Sequence, residues 1–341
     1  SMRARWQQDG EDYQVVAPVS LIVSAFAPVS DATRQLTPQL RPVNEQSYLL
    51  LFDLGGGANR LGGSCLAQAF NRVGGEAPDI DDPASLRGFF TAIQELASRD
   101  MLLAYHDRSD GGLLATVAEM MFASRVGVSL QLGGSRESML AQLFSEEAGA
   151  VVQVTKAKLA HVQMVLDRHG VTAQAIGRIE QKPVLTIRDG VNPPLRFERK
   201  DLQRAWSETS YRIQALRDNP ATAKEEFDRI LDDADPGLHA ELTFDAKTDI
   251  TLPFRGGTKP RVAILREQGV NSQYEMAAAF MRAGFSVVDV HMSDLLEGRD
   301  DLARYQGVVA CGGFSFGDVL GAGGGWAKSI LYHSRTRDQF Q

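Results

Sequence analysis

Cysteine is scarce in this chain: of 341 residues only Cys65 and Cys311 carry a thiol. Two cysteines imply no disulfide framework, and a reducing, cytoplasmic setting fits best. Long apolar runs are also missing, with nothing near the ~20 residues that a membrane-spanning helix needs. Arg3, Arg5, Gln7, Gln8 and Asp9 stand where the apolar core of a signal peptide would lie. Positive charge is in deficit, since 36 Lys and Arg face 43 Asp and Glu for a formal net charge of -7. That field repels phosphate backbones and argues against nucleic acid as a partner. It does not exclude a nucleotide, because backbone N–H groups and a metal ion can hold a small phosphate ligand locally.

What remains is an ordinary globular balance, 43% hydrophobic and 23% charged. Pro18 to Val29 reads as a strand bounded by prolines, and Ser30 to Leu40 as a short polar helix or turn. Tyr48 to Leu54 is a continuous apolar run suited to a sheet interior. A glycine-rich stretch follows, and Ser64 is placed to start a helix. Asp82 caps a second helix, with Pro83 at its favoured first position and the stripe Phe89, Ile93, Leu96, Ala97 on one face. Further strands are predicted at Met101–His106, Val126–Leu132, Ala150–Val154, Ala173–Ile179 and Pro183–Ile187, the last two as closing strands. Helices are predicted between them at Leu113–Phe122, Met139–Phe144 and Lys156–His169. This alternation predicts an α/β domain. Charged helices over Asp201–Asp218 and Thr222–Asp232 read as solvated faces and lead into the turn signal Asp232–Gly237. From Lys259 a new pattern begins. Strands at Arg261–Leu265, Ser286–Val290 and Gly307–Ala310 enclose a helix from Tyr274 to Ala283, with a capping box predicted at Ser272–Glu275. Such a series opens a parallel, doubly wound sheet, and one more helix is predicted at Trp326–Tyr332.

Four loops carry candidate chemistry. His106 to Gly112 lies where a strand gives way to a helix. Asp107 and Asp110 offer oxygen to Mg²⁺, Ser109 can bond a phosphate oxygen or an adenine edge, and Gly111–Gly112 allow close backbone approach. A capped turn explains the same residues equally well. The stretch Asp53 to Ser64 invites a dinucleotide reading, but the third glycine of that fingerprint falls on Arg60, so only a loop placing N–H groups near an anion remains. Glu146–Glu147 can bind a metal or form a solvated turn, the commoner case. Gly312 and Gly313 leave N–H groups for a developing oxyanion. Cys311 beside them continues the apolar run Val308–Ala310 and has no histidine placed as its base, so it reads as a buried hydrophobe.

The segments YHDRSDGGLL (Tyr105–Leu114), DLGGGANRLGGSCLA (Asp53–Ala67) and LFSEEAG (Leu143–Gly149) resemble the C-terminal synthetase repeat of the large, single-chain phosphoribosylformylglycinamidine synthases (FGAM synthetases). The segments Arg261–Phe285, His291–Leu296 and Ala310–Ala327 resemble the start of the glutaminase domain of the same family, with Phe316 where Tyr is expected. The resemblance implies an α/β fold: a C-terminal domain of the aminoimidazole-ribonucleotide-synthetase-like superfamily, then a truncated flavodoxin-like class I glutamine amidotransferase domain. It divides the chain into a connector (1–46), the synthetase domain (47–190), a charged helical linker (191–258) and the amidotransferase part (259–341). It further implies ATP and glutamine as substrates with formylglycinamide ribonucleotide, Mg²⁺ as cofactor, ADP as product, and neither nucleic acid nor membrane as partner. By motif, Asp107 becomes a Mg²⁺ ligand, Ser109 an ATP contact, and Gly312 and Gly313 the border of the oxyanion hole. The family's Gly-x-Cys-x-Gly elbow does not occur up to Gln341, and its catalytic His and Glu follow that elbow. The chain is therefore expected to be a fragment without activity of its own. Two other readings fit parts of it. A stand-alone ATP-dependent synthetase resembling the aminoimidazole ribonucleotide or selenophosphate synthetases leaves Arg261–Trp326 unexplained. A non-enzymatic scaffold is supported by the incomplete sites.

Overall fold

The computed structural model describes residues 3–16, 23–29, 31–32, 34–254, 256–318, 321 and 323–341. The chain divides between Pro236 and Gly237 into two compact units. The division falls within the Asp232–Gly237 turn signal.

The first unit opens on a hairpin of β1 (Arg3–Gln8) and β2 (Glu11–Val16). Asp9 and Gly10 turn it with φ of 54° and 85°, the left-handed pair favoured in two-residue hairpin loops. Trp6 stacks on Tyr13 across it with ring centroids 5.5 Å apart. The sequence pattern did not suggest this hairpin, because polar residues interrupt its apolar alternation. Residues 18–22 of the strand predicted at Pro18–Val29 lie outside the described residues, and 23–29 form no regular element.

The main sheet of this unit contains β3 (Ser47–Asp53), β4 (Ala104–Asp107), β5 (Gly127–Gln131), β6 (Gly149–Thr155), β7 (Gln174–Glu180), β8 (Val184–Arg188) and β9 (Leu195–Glu198). Their order is β4-β6-β3-β7-β5-β8-β9, antiparallel throughout except for the β5–β8 pair. The connecting helices are α1 (Cys65–Ala69), α2 (Pro83–Ser98), α3 (Gly112–Ser124), α4 (Arg136–Phe144), α5 (Leu159–His169), α6 (Arg199–Arg217) and α7 (Pro220–Arg229). β3 lies between β6 and β7, which explains its continuous apolar run. Alternation along it separates two cores. Leu49 and Leu51 face α3 and α4 with Leu113, Val117, Met120 and Leu143. Leu50 and Phe52 face α2 and α5 with Phe89, Ile93, Leu96 and Val165. Each fully buried side chain of this size stabilises the fold by about 1.5–3 kcal/mol.

Several predicted elements change character. Both strands predicted as closing are interior, because β7 pairs with β3 and β5 and β8 pairs with β5 and β9. The edge is formed by β9, which is short and mostly exposed and so carries no apolar signal. The charged helices are solvated only on their outer faces. Trp206 of α6 packs on Phe122 of α3 at 5.9 Å, Tyr211 stacks on Phe227 of α7 at 4.4 Å, and the buried Arg199 reaches Asp233 at 2.5 Å.

In the second unit, β10 (Arg261–Arg266), β11 (Ser286–His291) and β12 (Gly307–Ala310) form a parallel sheet in the order β11-β10-β12. Its helices are α8 (Gln273–Arg282), α9 (Met292–Glu297), α10 (Gly324–Leu331) and α11 (Ser334–Phe340). The central strand again divides two cores. Val262 and Ile264 pack with Cys311, Met276 and Phe280, while Ala263 and Leu265 pack with Leu295, Leu302 and Trp326. The predicted capping box at Ser272 does not form. Ser272 makes no cap hydrogen bond, and its hydroxyl donates instead to Gly312 O at 3.3 Å. A capping box occurs at His291 and Asp294, which open α9. No helix among the described residues is long and apolar enough to cross a membrane.

Candidate functional site

Three of the four loops singled out in the sequence converge at one end of the main sheet. β3 delivers Asp53 and the glycine-rich stretch, β4 delivers Asp107 to Gly112, and the turn before β6 delivers Glu146 and Glu147. Two ion pairs fasten them together. Arg108 is buried and its Nη2 donates to Asp53 Oδ1 at 2.5 Å, while its Nε donates to Glu147 O at 2.5 Å. Arg60 donates from Nε to Glu147 Oε1 at 2.6 Å and from Nη2 to Glu147 Oε2 at 2.9 Å. Its other partners are Asp81 and the carbonyl of Asp79. The hydrogen bond to Glu147 is the main reason the Arg60 guanidinium is held above its ordinary pKa.

Glu147 has no solvent exposure, so the solvated-turn reading of Glu146–Glu147 does not hold for it. A carboxylate in that position needs a charge partner, and Arg60 supplies it. The residue that broke the dinucleotide fingerprint is thus the one that pins the loop. Gly55 is required at this contact, since a Cβ there would come within 2.5 Å of Glu147 Cδ. Glu146 ties the other two loops, its Oε1 accepting from the N–H of Cys65 and of Gly111, both at 2.8 Å.

On this frame Asp107 and Ser109 are exposed. Asp107 is the last residue of β4. The Tyr105 hydroxyl donates to its Oδ1 at 2.5 Å, and burial, then this hydrogen bond, raise the phenol above its usual pKa. One carboxylate oxygen is therefore held and Oδ2 is left for a cation. That donor set fits Mg²⁺, which takes one or two protein carboxylates and otherwise water and phosphate oxygens. Asp110 goes elsewhere: its carboxylate, Cys65 Sγ and Glu146 place one ligand atom each within 4.8 Å of one another. Burial, then the charge of Glu146, raise the Cys65 thiol. Ser109 O accepts from Gly112 N at 2.9 Å and closes the turn into α3.

The fourth loop belongs to the second unit. Gly312 is exposed, Gly313 forms an isolated antiparallel bridge with Val270, and Phe314 N donates to Gly269 O at 2.9 Å. Cys311 is buried, and burial, then the charge of Asp289, push its thiol up.

Sequence reasoning singled out the loops, Asp107 and Ser109 as candidates, but not Arg108 as an anchor or Tyr105 as the partner of Asp107. An Arg between two loop aspartates looks like a surface charge until β6 is known to bring Glu147 and Ala148 beside it.

Residues 50–190 match the family described as AIR synthase related protein, C-terminal domain. Residues 259–341 match the family described as CobB/CobQ-like glutamine amidotransferase domain. Among solved structures, T. maritima PurL complexed with FGAR is similar at 16% identity over 50% of this chain and 30% of that one, with a TM-score of 0.41. T. maritima PurL complexed with ATP gives 14% identity over 50% and 27%, with a TM-score of 0.39. E. coli HypE, a hydrogenase maturation protein, gives 16% identity over 48% and 52%, with a TM-score of 0.34. The chain thus spans less than a third of the length of the PurL chains. Its class is that of a synthetase-type α/β domain joined to a glutamine amidotransferase domain. The two matched domains stand in the order that the resemblance to the FGAM synthetases implies.

Proposed function

We propose that this chain supplies one wall of a Mg·ATP site in an enzyme that converts formylglycinamide ribonucleotide, glutamine, ATP and water to formylglycinamidine ribonucleotide, glutamate, ADP and phosphate. The observation that carries the reading is the junction of three loops by the Arg108–Asp53 and Arg60–Glu147 pairs, with Asp107 and Ser109 exposed on it. Asp107 would hold Mg²⁺ through the oxygen that Tyr105 leaves available, and Ser109 would contact the nucleotide. Bound Mg²⁺ supplies charge neutralisation at the phosphates. The chain's own residues position and do not react. Arg108 fixes the loop at its base, Tyr105 orients the Asp107 carboxylate, and Glu146 fixes the Gly111 N–H.

In the second unit Gly312 and Gly313 would border the oxyanion hole of a glutaminase site. Cys311 is buried among Val262 and Ile264, and both thiols, its own and that of Cys65, are raised where a nucleophile needs a lowered pKa. On this reading these 341 residues by themselves release no glutamate from glutamine. Two free thiols also accord with a cytoplasmic location.

Calorimetric titration with Mg·ADP tests the first unit. Asp107→Asn weakens binding about tenfold, the loss of roughly one charge-assisted contact, while urea unfolding stays unchanged. Equal Mg·ADP affinity for wild type and variant removes the metal assignment. Steady release of glutamate from glutamine by the chain overturns the statement about the second unit.

A further inference from the structure

We propose that Glu119 and Trp206 are positioning residues for the Asp107–Gly112 loop, so that helix α6 helps to set the candidate nucleotide site. Its functional consequence rests on the nucleotide reading above; the positioning itself does not.

Residues at the end of β4 are held both within the strand and by other elements. Tyr105 bonds Asp107. Arg108 is buried against Asp53 and Glu147. His106, between them, is held by α3: its Nε2 lies 2.6 Å from Glu119 Oε2. The second oxygen of the same carboxylate is also used, accepting from Trp206 Nε1 at 3.0 Å. Trp206 belongs to α6, and its ring rests on Phe122, one turn beyond Glu119 on α3. Glu119 therefore has one oxygen on the residue next to Asp107 and the other on α6. The side chains of His106 and Glu119 are 21% and 32% exposed, so water competes weakly for their bond, whereas Trp206 is 61% exposed and its bond to Glu119 is the more solvated half of the link.

A Glu119 that served only to solubilise α3 would not engage both oxygens with two other elements, β4 beside it in sequence and α6 far from it. His106, Glu119 and Trp206 all belong to the first unit.

Three hydrogen-bonded amides report on the loop: Arg108 N to Gly149 O at 2.9 Å, Gly111 N to Glu146 at 2.8 Å and Gly112 N to Ser109 O at 2.9 Å. Hydrogen exchange at these amides is compared among wild type, Glu119→Ala, Glu119→Gln and Trp206→Phe, the last keeping a ring on Phe122. Exchange rises about tenfold in Glu119→Ala and severalfold in Trp206→Phe through local opening. Glu119→Gln, which still accepts from the indole, restores most of the protection. Amides at the centre of the β3–β6 ladder keep their wild-type rates. Mg·ADP affinity, measured alongside, falls severalfold in Glu119→Ala and Trp206→Phe. Unchanged exchange at the three amides overturns the proposal. An equal rise across the β3–β6 ladder also overturns it, because Glu119 then supports the domain and not the loop. Failure of wild type to bind Mg·ADP removes the nucleotide reading but leaves the exchange result to decide the positioning role.

Discussion

Gly111–Gly112 of the first unit and Gly312–Gly313 of the second unit are alike in sequence: a glycine pair in the loop that follows a strand. They are held by different physics. The first pair lies in a loop fastened by charged side chains from three elements, Asp53, Arg108 and Glu146. The other pair is held mainly by backbone contacts, the Val270–Gly313 bridge and the Phe314 N to Gly269 O bond, with Ser272 Oγ on Gly312 O as a long addition. A loop held by buried charge depends steeply on single side chains. A loop held by its backbone hardly does, and the same glycine signal therefore predicts different sensitivities.

Removing the anchor tests the difference most directly. Arg108→Met takes the buried guanidinium from Asp53 and from the carbonyl of Glu147; Asp53 is part-exposed and keeps the N–H groups of Gly55 and Gly57, so the loss should be about 2 kcal/mol, that of the charge-assisted bonds themselves. The matching change in the second unit, Ser272→Ala, removes one hydrogen bond of 3.3 Å at an exposed site and should cost no more than ~0.5 kcal/mol. Urea unfolding followed by amide exchange in each unit measures both. Comparable losses would break the distinction.

The glycines sharpen it next. Gly112 has φ of +67°, and a Cβ there would lie 2.6 Å from Ser145 O. Gly112→Ala should cost about 2–3 kcal/mol from left-handed strain and the forced retreat of the 143–145 backbone. Gly312 has no heavy atom within 4 Å of a built Cβ, so Gly312→Ala should stay within about 0.5 kcal/mol. Denaturation midpoints of the two variants decide this. Gly313 is itself confined, since a Cβ there would run into Gly269 O, so the contrast concerns Gly312 alone, and a large loss for Gly312→Ala would show that position to be as constrained as Gly112.

How far the sequence reached follows the same line. Elements whose signal is local were readable: the Asp82–Pro83 start of α2, the apolar run of β3, and the parallel strands around β10. The candidate loops were readable because glycine and aspartate at strand ends are local signals too. What was not readable depends on tertiary pairing. β7 became interior because it returns beside β3, which no local pattern states. Arg60 and Arg108 became anchors because β6 brings Glu147 between β3 and β4 in the sheet order. Ser272 and Glu275 have the spacing of a capping box, yet the serine bonds to Gly312, forty residues on. The charge of α6 hid the contact its exposed Trp206 makes with Phe122 and Glu119 of α3.

The smallest effect is a matter of acidity. Asp189 closes the turn before β9 by the same device, a carboxylate on nearby donors. Its Oδ2 accepts from Asn192 Nδ2 at 2.7 Å, and its Oδ1 accepts from the N–H of Asn192 and Val191 at 2.8 and 2.9 Å. Chiefly the Asn192 side-chain bond, then the two backbone bonds, lower its pKa to about 2. An unfolded aspartate titrates near ~3.9. Because the folded value is the lower one, the stabilising contribution is present above ~3.9 and is lost as pH falls toward about 2. Asp189→Asn cannot titrate, so its urea midpoint should be lower than that of wild type at neutral pH, with the difference closing between about pH 4 and pH 2. Amide exchange at Val191 and Asn192 should accelerate over the same window in wild type, whereas exchange at Phe314, whose acceptor is a backbone carbonyl, should show no rise beyond the intrinsic pH dependence of exchange. If Phe314 loses protection together with Asn192, the second unit's turn also relies on a titrating carboxylate, and the contrast between charge-held and backbone-held loops fails.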